Sequence, residues 1–282
     1  MLILPGRSAK GQRPSGPVLL NRDSPQALAL RHWWPIVGTN FRAGAGLVDG
    51  AVQAGLGSRG VPGHGLTATF DGSTTYANTA ILPTGLSGSQ PWTLAIWIRH
   101  VLAPGVYPAN DVRVVTFTED GGHADATYDK AIEIRGGGVG TARVYAYDGG
   151  VERSVGTTNT LDNVPHRIIG TFDGATLRIY CDGRLENSQA CSSTYAFASP
   201  QIVWSHTAGG CQDFTGQLWD TRVYARCLSA AEVWADYDPA TRWDLYWHPS
   251  TRAYAWYLPV AGGSFNPAWA AGSNVILGAT PC

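Results

Sequence analysis

The chain has 282 residues, a formal net charge of −1, 15% charged residues, 35 glycines and 17 prolines. So even a balance leaves no concentrated basic footprint for a nucleic acid, and without an apolar run of about 20 residues there is no helical membrane span. Only five residues are glutamate and eleven are tryptophan. This suits many turns and few helices, hence one all-β unit of roughly 200–250 residues with extensions. The charged fraction lies well below the roughly 25% of average soluble chains, which fits a surface covered by a partner, a glycan-binding surface or a large sandwich core.

Residues 1–30 read as an extended arm. Pro5, Gly6, Pro14, Gly16, Pro17 and Pro25 break any periodic pattern, and Arg7, Lys10, Arg13 and Arg22 make the segment basic, a composition expected to order only against neighbours. Its four-residue apolar run ends at Pro5, ahead of the positive charges, and does not match a secretory signal. His32-Trp33-Trp34-Pro35 opens the folded body, and the glycine-rich passage from Gly38 to Gly65 is expected to be a long surface loop leading to the strand LTATFDG.

Strands are then predicted at 92–100, 111–118, 129–135, 141–147, 151–156, 166–172, 175–181, 184–190, 201–205 and 214–225. Between His166 and Glu186 the turns Asp173-Gly174 and Asp182-Gly183 join three of them into an antiparallel meander. Leu177, Ile179 and Cys181 form the apolar parity of a half-buried strand. Ser229, followed by Glu232 three residues on, predicts a capped helix to about Tyr237. Beyond residue 240 the chain becomes rich in Trp, Tyr, Pro and Gly, and this aromatic extension is expected to dock on the body or on a neighbouring subunit.

Three blocks in order carry a family resemblance: LTATFDGSTTY, HRIIGTFDGATLRIYCDGRLE and FTGQLWDTRVYARCLSAAEVWADY. They are similar to the laminin-G-like, concanavalin-A-type jelly rolls. The resemblance implies an all-β, two-sheet antiparallel jelly-roll sandwich with extended N- and C-terminal arms and one short helix. The divisions are 1–30 for the arm, 31–240 for the jelly roll and 241–282 for the C-terminal extension. The lead-in LNRDSPQALALRHWWP and the start of the C-terminal tail further resemble segments that flank such jelly rolls in tailed-phage and prophage proteins. That implies a virion structural protein, foremost a capsid decoration or cement protein on the capsid surface, with the major capsid protein or other virion proteins as partners and a homo-oligomeric or symmetric assembly. The alternative is a head or tail fibre adhesin, or an extracellular, secreted lectin, that binds a host glycan through the jelly roll.

Catalysis finds little in the residues. Glycosidase chemistry needs a closely spaced carboxylate pair, yet Glu119, Glu133, Glu152, Glu186 and Glu232 stand apart, and Glu119-Asp120 falls in an apparent turn. His166 reads as a sheet residue bonded to a neighbour rather than a base. There is no C-x-x-C pair for a zinc knuckle, and Cys181 and Cys227 read as packing residues. A bridge between Cys181 and Cys191 is disfavoured because the Asp182-Gly183 turn puts Cys181 opposite Arg184.

Calcium is the one metal the resemblance implies, through Asp71 and Asp220, which match family aspartates. Here the pattern departs: Thr74, Thr75, Leu218 and Trp219 stand where relatives carry acids or an aliphatic residue, and Asp71 and Asp173 also suit Asx turns before glycine. No resident cofactor is therefore expected. For sugar stacking, Tyr145, Tyr147 and Trp204 are the expected exposed aromatics, with Trp92, Trp97, Trp219 and Trp234 facing inward.

Overall fold

The computed structural model describes residues 13–14, 18–46, 48–52, 55–73, 75–82, 89–101, 110–118, 128–136, 140–148, 151–192, 200–205, 213–246, 264–268 and 276–280. Two antiparallel sheets face each other. The first runs in the order β13 (Arg184–Ala190), β12 (Thr176–Cys181), β11 (His166–Phe172), β6 (Trp92–His100), β15 (Thr215–Tyr224), β4 (Gly65–Asp71) and β3 (Gly57–Val61), with β1 (Leu30–Trp34) also pairing with β15. The second runs β10 (Val151–Thr160), β9 (Thr141–Asp148), β8 (Tyr128–Ile134), β7 (Val112–Thr118), β14 (Gln201–Trp204), β5 (Ala77–Thr79) and β2 (Gly50–Val52). A separate hairpin joins β16 (Ser264–Ala268) and β17 (Ile276–Thr280). No helix among the described residues is long and apolar enough to cross a membrane.

Period-2 alternation fills the space between the sheets. Ile96, Ile98, Ile168, Leu177 and Ile179 from the first sheet meet Val115, Phe117, Ile132, Val144 and Ile202 from the second in one apolar core. At Gly170 the sheets approach so closely that a Cβ would lie 2.3 Å from a Val144 methyl carbon, so the absence of a side chain sets the spacing there. Trp92, Trp97 and Trp219 are buried as expected, but Trp234 is half-exposed on the helix.

The outer face of the first sheet carries a third layer. Helix α1 (Ala230–Tyr237) starts with the expected reciprocal cap between Ser229 and Glu232, and Leu228 and Val233 pack on Ala95, Ile169, Tyr180 and Tyr224. The described part of the arm expected over residues 1–30 is docked on the body, and it is not extended throughout, because Pro25–Ala27 form a 3-10 turn. Leu20 bridges Tyr246, and Val18 and Leu20 cover Trp33, Trp243 and Tyr246. The Arg13 guanidinium donates to the carbonyls of Pro35 (2.6 Å) and Ile36 (3.2 Å). The Gly38–Gly65 passage is not the plain loop expected of it, because β2 and β3 lie within it and extend both sheets.

Beneath this layer lies a buried ionic network. A bulge in β15 between Trp219 and Arg222, with Asp220 at φ 52°, turns Asp220 and Arg222 toward each other. Arg222 donates to Asp220 through Nη2 (2.7 Å) and Nε (3.2 Å), and pairs with Asp236 of the helix at 3.1 Å. Arg167 joins the same Asp236 at 3.0 Å and the Asp220 carbonyl at 2.7 Å. Trp33 Nε1 closes the array on Asp220 Oδ1 at 2.6 Å. All four charged side chains are at most 2% exposed, so the two cations and two anions compensate one another where water cannot.

Beside the network, Trp219 Nε1 donates to His64 Nδ1 at 3.2 Å, which requires that nitrogen to be unprotonated. Burial, reinforced by Arg242 and Arg13, pushes the His64 pKa down to about 3, and burial pushes that of His100 down to about 4. Both rings bind fewer protons folded than unfolded, so their contribution is full above pH 6.5 and is lost as pH falls toward those values. At about 1.4 kcal/mol per pKa unit, the expected loss by pH 4 is on the order of a few kcal/mol. Denaturant titrations at pH 7 and pH 4 measure it, and a His64→Gln variant should show a shallower pH dependence than the wild type.

Candidate functional site

The outer face of the seven-stranded sheet concentrates polar groups that the core does not use. In each of three adjacent strands one charged residue sits between apolar neighbours: Arg113 in β7, Glu133 in β8 and Arg143 in β9. The register sets Arg113 opposite Glu133, and Glu133 opposite Arg143. Because Ile132, Ile134, Ala142 and Val144 point into the core, the three charges point the other way. Arg143 Nε lies 2.8 Å from Glu133 Oε2, its Nη2 lies 2.7 Å from Asp111 Oδ2, and Arg113 pairs with the other Glu133 oxygen. Asp111 is itself held by the Gly136 amide at 2.8 Å.

Tyr145 stands between the cations, with the Arg113 guanidinium 4.5 Å and that of Arg143 5.5 Å from its ring centre. Thr116, beside Ala131 in register, places a hydroxyl without a hydrogen-bond partner among the described residues on this face. Asn78 and Gln201 extend the row across β5 and β14. The arrangement is a set of planar, fixed hydrogen-bonding groups around one aromatic ring. Burial raises the Glu133 pKa, an effect that Arg113 and Arg143 only partly offset. Both of its oxygens are occupied by guanidinium groups, which ties up the carboxylate that a hydrolytic reading would need.

The residues expected from sequence fall elsewhere. Asp71 caps its own turn: its Oδ1 accepts from Ser73 N (2.9 Å), Thr75 N (3.2 Å) and the Thr75 hydroxyl (2.9 Å). Asp173 does the same for Ala175 and Thr176. Asp220 is the centre of the buried network, five positions along β15 from Thr215, the register partner of Asp71. That spacing is roughly 16 Å at about 3.3 Å per residue, so the two carboxylates do not converge on one ion.

The expected exposure of Tyr145 and Trp204 is not found: Tyr145 is 3% exposed and Trp204 is fully buried. Trp204 shares the parity of Ile202, packs against Trp34 and Phe41, and donates to the Thr221 hydroxyl at 2.9 Å. The Tyr147 side chain, Glu119-Asp120, the side chain of Glu152 and the side chains of the aromatic residues beyond Tyr246 lie outside the described residues. Cys181 and Cys227 are free thiols, and Cys181 lies opposite Arg184 as the turn geometry requires.

No curated protein matches the chain. Among solved structures, domain 4 of AbnA, an extracellular arabinanase from Geobacillus stearothermophilus, in complex with arabinotriose, superposes with a TM-score of 0.59 at 13% identity, over 74% of this chain and 98% of that one. The binding domain of Paraclostridial Mosquitocidal Protein 1 gives 0.59 at 14% identity over 75% of this chain and 52% of that one. The receptor binding domain of botulinum neurotoxin D gives 0.57 at 12% over 74% and 52%. The chain thus spans about half the length of the toxin domains it matches, and identities this low establish shared fold. A family model described as the concanavalin A-like lectin/glucanases superfamily matches residues 71–234, more than half the sequence. These residues run from the end of β4 through both sheets to the helix, and the chain belongs to that laminin-G-like family.

Proposed function

We propose that this chain is a non-enzymatic binding module that recognises a glycan through the outer face of its seven-stranded sheet. The observation that carries the reading is the array of Arg113, Arg143 and Asp111, whose side chains keep 15%, 14% and 33% of their surface at this face while the buried Glu133 and Tyr145 hold them from beneath. Planar guanidinium and carboxylate groups match vicinal hydroxyls in pairs, and their mutual bonds pre-organise them before a ligand arrives. The similarity to an arabinanase domain bound to arabinotriose and to toxin receptor-binding domains supports a binding role over a catalytic one.

Oligosaccharide arrays spanning pentose, hexose and sialylated ligands test this. The wild-type chain is expected to bind a restricted set. The double variant Asp111→Asn/Arg143→Gln removes one charge of each sign together and leaves Arg113 paired with Glu133; it should lose at least tenfold in affinity while melting within a few degrees of wild type. Failure of the wild type to bind any array member would reject the reading.

We further propose that the module is carried on the surface of a tailed-phage particle, as a capsid decoration protein or a fibre adhesin. The supporting observation is that the two flanks resembling phage proteins are bound to each other: Asn21 N donates to Leu245 O at 2.8 Å, and its side chain to Asp244 O at 2.9 Å. Lead-in and tail therefore act as one unit on the body. Mass spectrometry of purified particles should find the chain at a copy number commensurate with particle symmetry. Recovery only from the culture supernatant would favour the secreted lectin.

A further inference from the structure

The other sheet holds a second group of chemistry-bearing residues that the glycan reading does not use. At the start of β11 and the β12–β13 turn, His166, Cys181 and Asp182 bring one ligand atom each to within 4.8 Å of one another. His166 Nδ1 lies 2.8 Å from Asp182 Oδ2 and 3.9 Å from Cys181 Sγ. Zinc bonds of about 2.0–2.3 Å in a tetrahedral shell place their ligand atoms roughly 3–4 Å apart, so little movement is needed.

Two of the three ligands are oriented from outside the group. Asp182 Oδ1 accepts from the Arg167 amide at 2.9 Å, which aims Oδ2 at the imidazole. On the far side of the ring, His166 Nε2 lies 3.0 Å from Asp162 Oδ1. A carboxylate on that nitrogen holds the ring with Nδ1 facing the thiol and Asp182, as outer carboxylates do behind metal-bound histidines. Cys181 is buried and Asp182 is 29% exposed at its side chain, so the group has a dry side and a side open to solvent. One nitrogen, one sulfur and one carboxylate oxygen suit a borderline-soft ion, whereas calcium and magnesium select oxygen alone.

We propose that His166, Cys181 and Asp182 form a zinc site at this edge of the jelly roll, with Asp162 as the positioning residue and the fourth coordination place open to water or to a donor from a bound partner. Binding displaces the thiol proton and the proton shared between Nδ1 and Asp182, both of which pass to solvent. The site ties the start of β11 to the β12–β13 turn and is built by a sheet that does not contribute to the glycan face.

The test uses the full chain, freed of metal and titrated with zinc chloride. One equivalent is expected to bind, with a rise in melting temperature, and site-resolved mass spectrometry should show alkylation of Cys181 by iodoacetamide slowed at least tenfold while Cys227 reacts as before. With cobalt chloride, a cysteinate-to-cobalt charge-transfer band should appear in the wild type and in Cys191→Ala but not in Cys181→Ala. Absence of zinc binding by the wild type, or unchanged alkylation of Cys181 in saturating zinc, overturns the site. So does a cobalt band that survives Cys181→Ala.

Discussion

Asp220→Ala is expected to destabilise the fold by about 3–5 kcal/mol, the cost of leaving a buried charge without its partner. The carboxylate is fully buried. Burial alone would raise its pKa, but Arg222 and Arg167 outweigh burial and hold it below the usual carboxylate range. Its removal leaves the Trp33 indole N–H without its acceptor, takes from Arg222 the carboxylate it chelates, and takes from Arg167 a negative charge 3.7 Å away, while the Arg167 bond to the residue-220 carbonyl remains. At roughly 2–4 °C per kcal/mol for a chain of this size, the melting temperature should fall by about 6–20 °C. A concerted replacement, Asp220→Leu with Arg222→Met, removes both charges and should cost much less than the single change. Added calcium should leave the wild-type melting temperature unchanged, because an ion could reach the Asp220 carboxylate only by displacing Arg222. Equal costs for the single and double variants would show that the pair is not coupled.

Deleting residues 1–24 is expected to be the next largest perturbation. The loss includes the Arg13 bonds to the Pro35 and Ile36 carbonyls, the Arg13 guanidinium 5.5 Å over the Tyr246 ring, the Leu20–Tyr246 bridge and the Asn21 bonds to residues 244 and 245. Hydrogen bonds to a charged group contribute about 1.5–3 kcal/mol each, and uncovering Trp33 and Tyr246 adds an apolar term. The recovered entropy of the segment opposes these losses, and the net effect is expected to be a lowered melting temperature. Calorimetry of the truncated chain measures this. A melting temperature equal to wild type would mean that the arm contributes nothing to the isolated fold.

Sequence pattern located the strands that are long and bounded by turns. β6, β11 and β13 have the bounds expected from those turns, although β6 is buried almost throughout and β13 is exposed, and α1 starts where its cap does. β2, β3 and β5 escaped because they are three to five residues long and are rich in Gly, Ala and Ser, so no period can be read from them. Trp204 shares the phase of Ile202, but a strand of four residues is too short for phase to separate a core tryptophan from an exposed one. The buried network could not be read at all: Arg167, Asp220, Arg222 and Asp236 are brought together by a bulge and by a helix folded over the sheet. Arg113, Glu133 and Arg143 did leave a signal, one charge amid apolar neighbours in three successive strands, but only the strand register turns that into one array. For His166 and Asp182 the relevant signal was the Asp182-Gly183 turn, which returns the chain to the level of Arg167.

On the proposed function, ligand recognition belongs to the outer face of the seven-stranded sheet. Hydrogen–deuterium exchange of the full chain with and without a saturating array-identified oligosaccharide tests it most directly. Slower exchange is expected in peptides covering Val112–Thr118, Tyr128–Ile134 and Thr141–Asp148, with little change in His166–Phe172 or Thr176–Cys181. Protection centred on those two strands of the other sheet, with none on the first three, would move the ligand to that sheet and reject the proposed face.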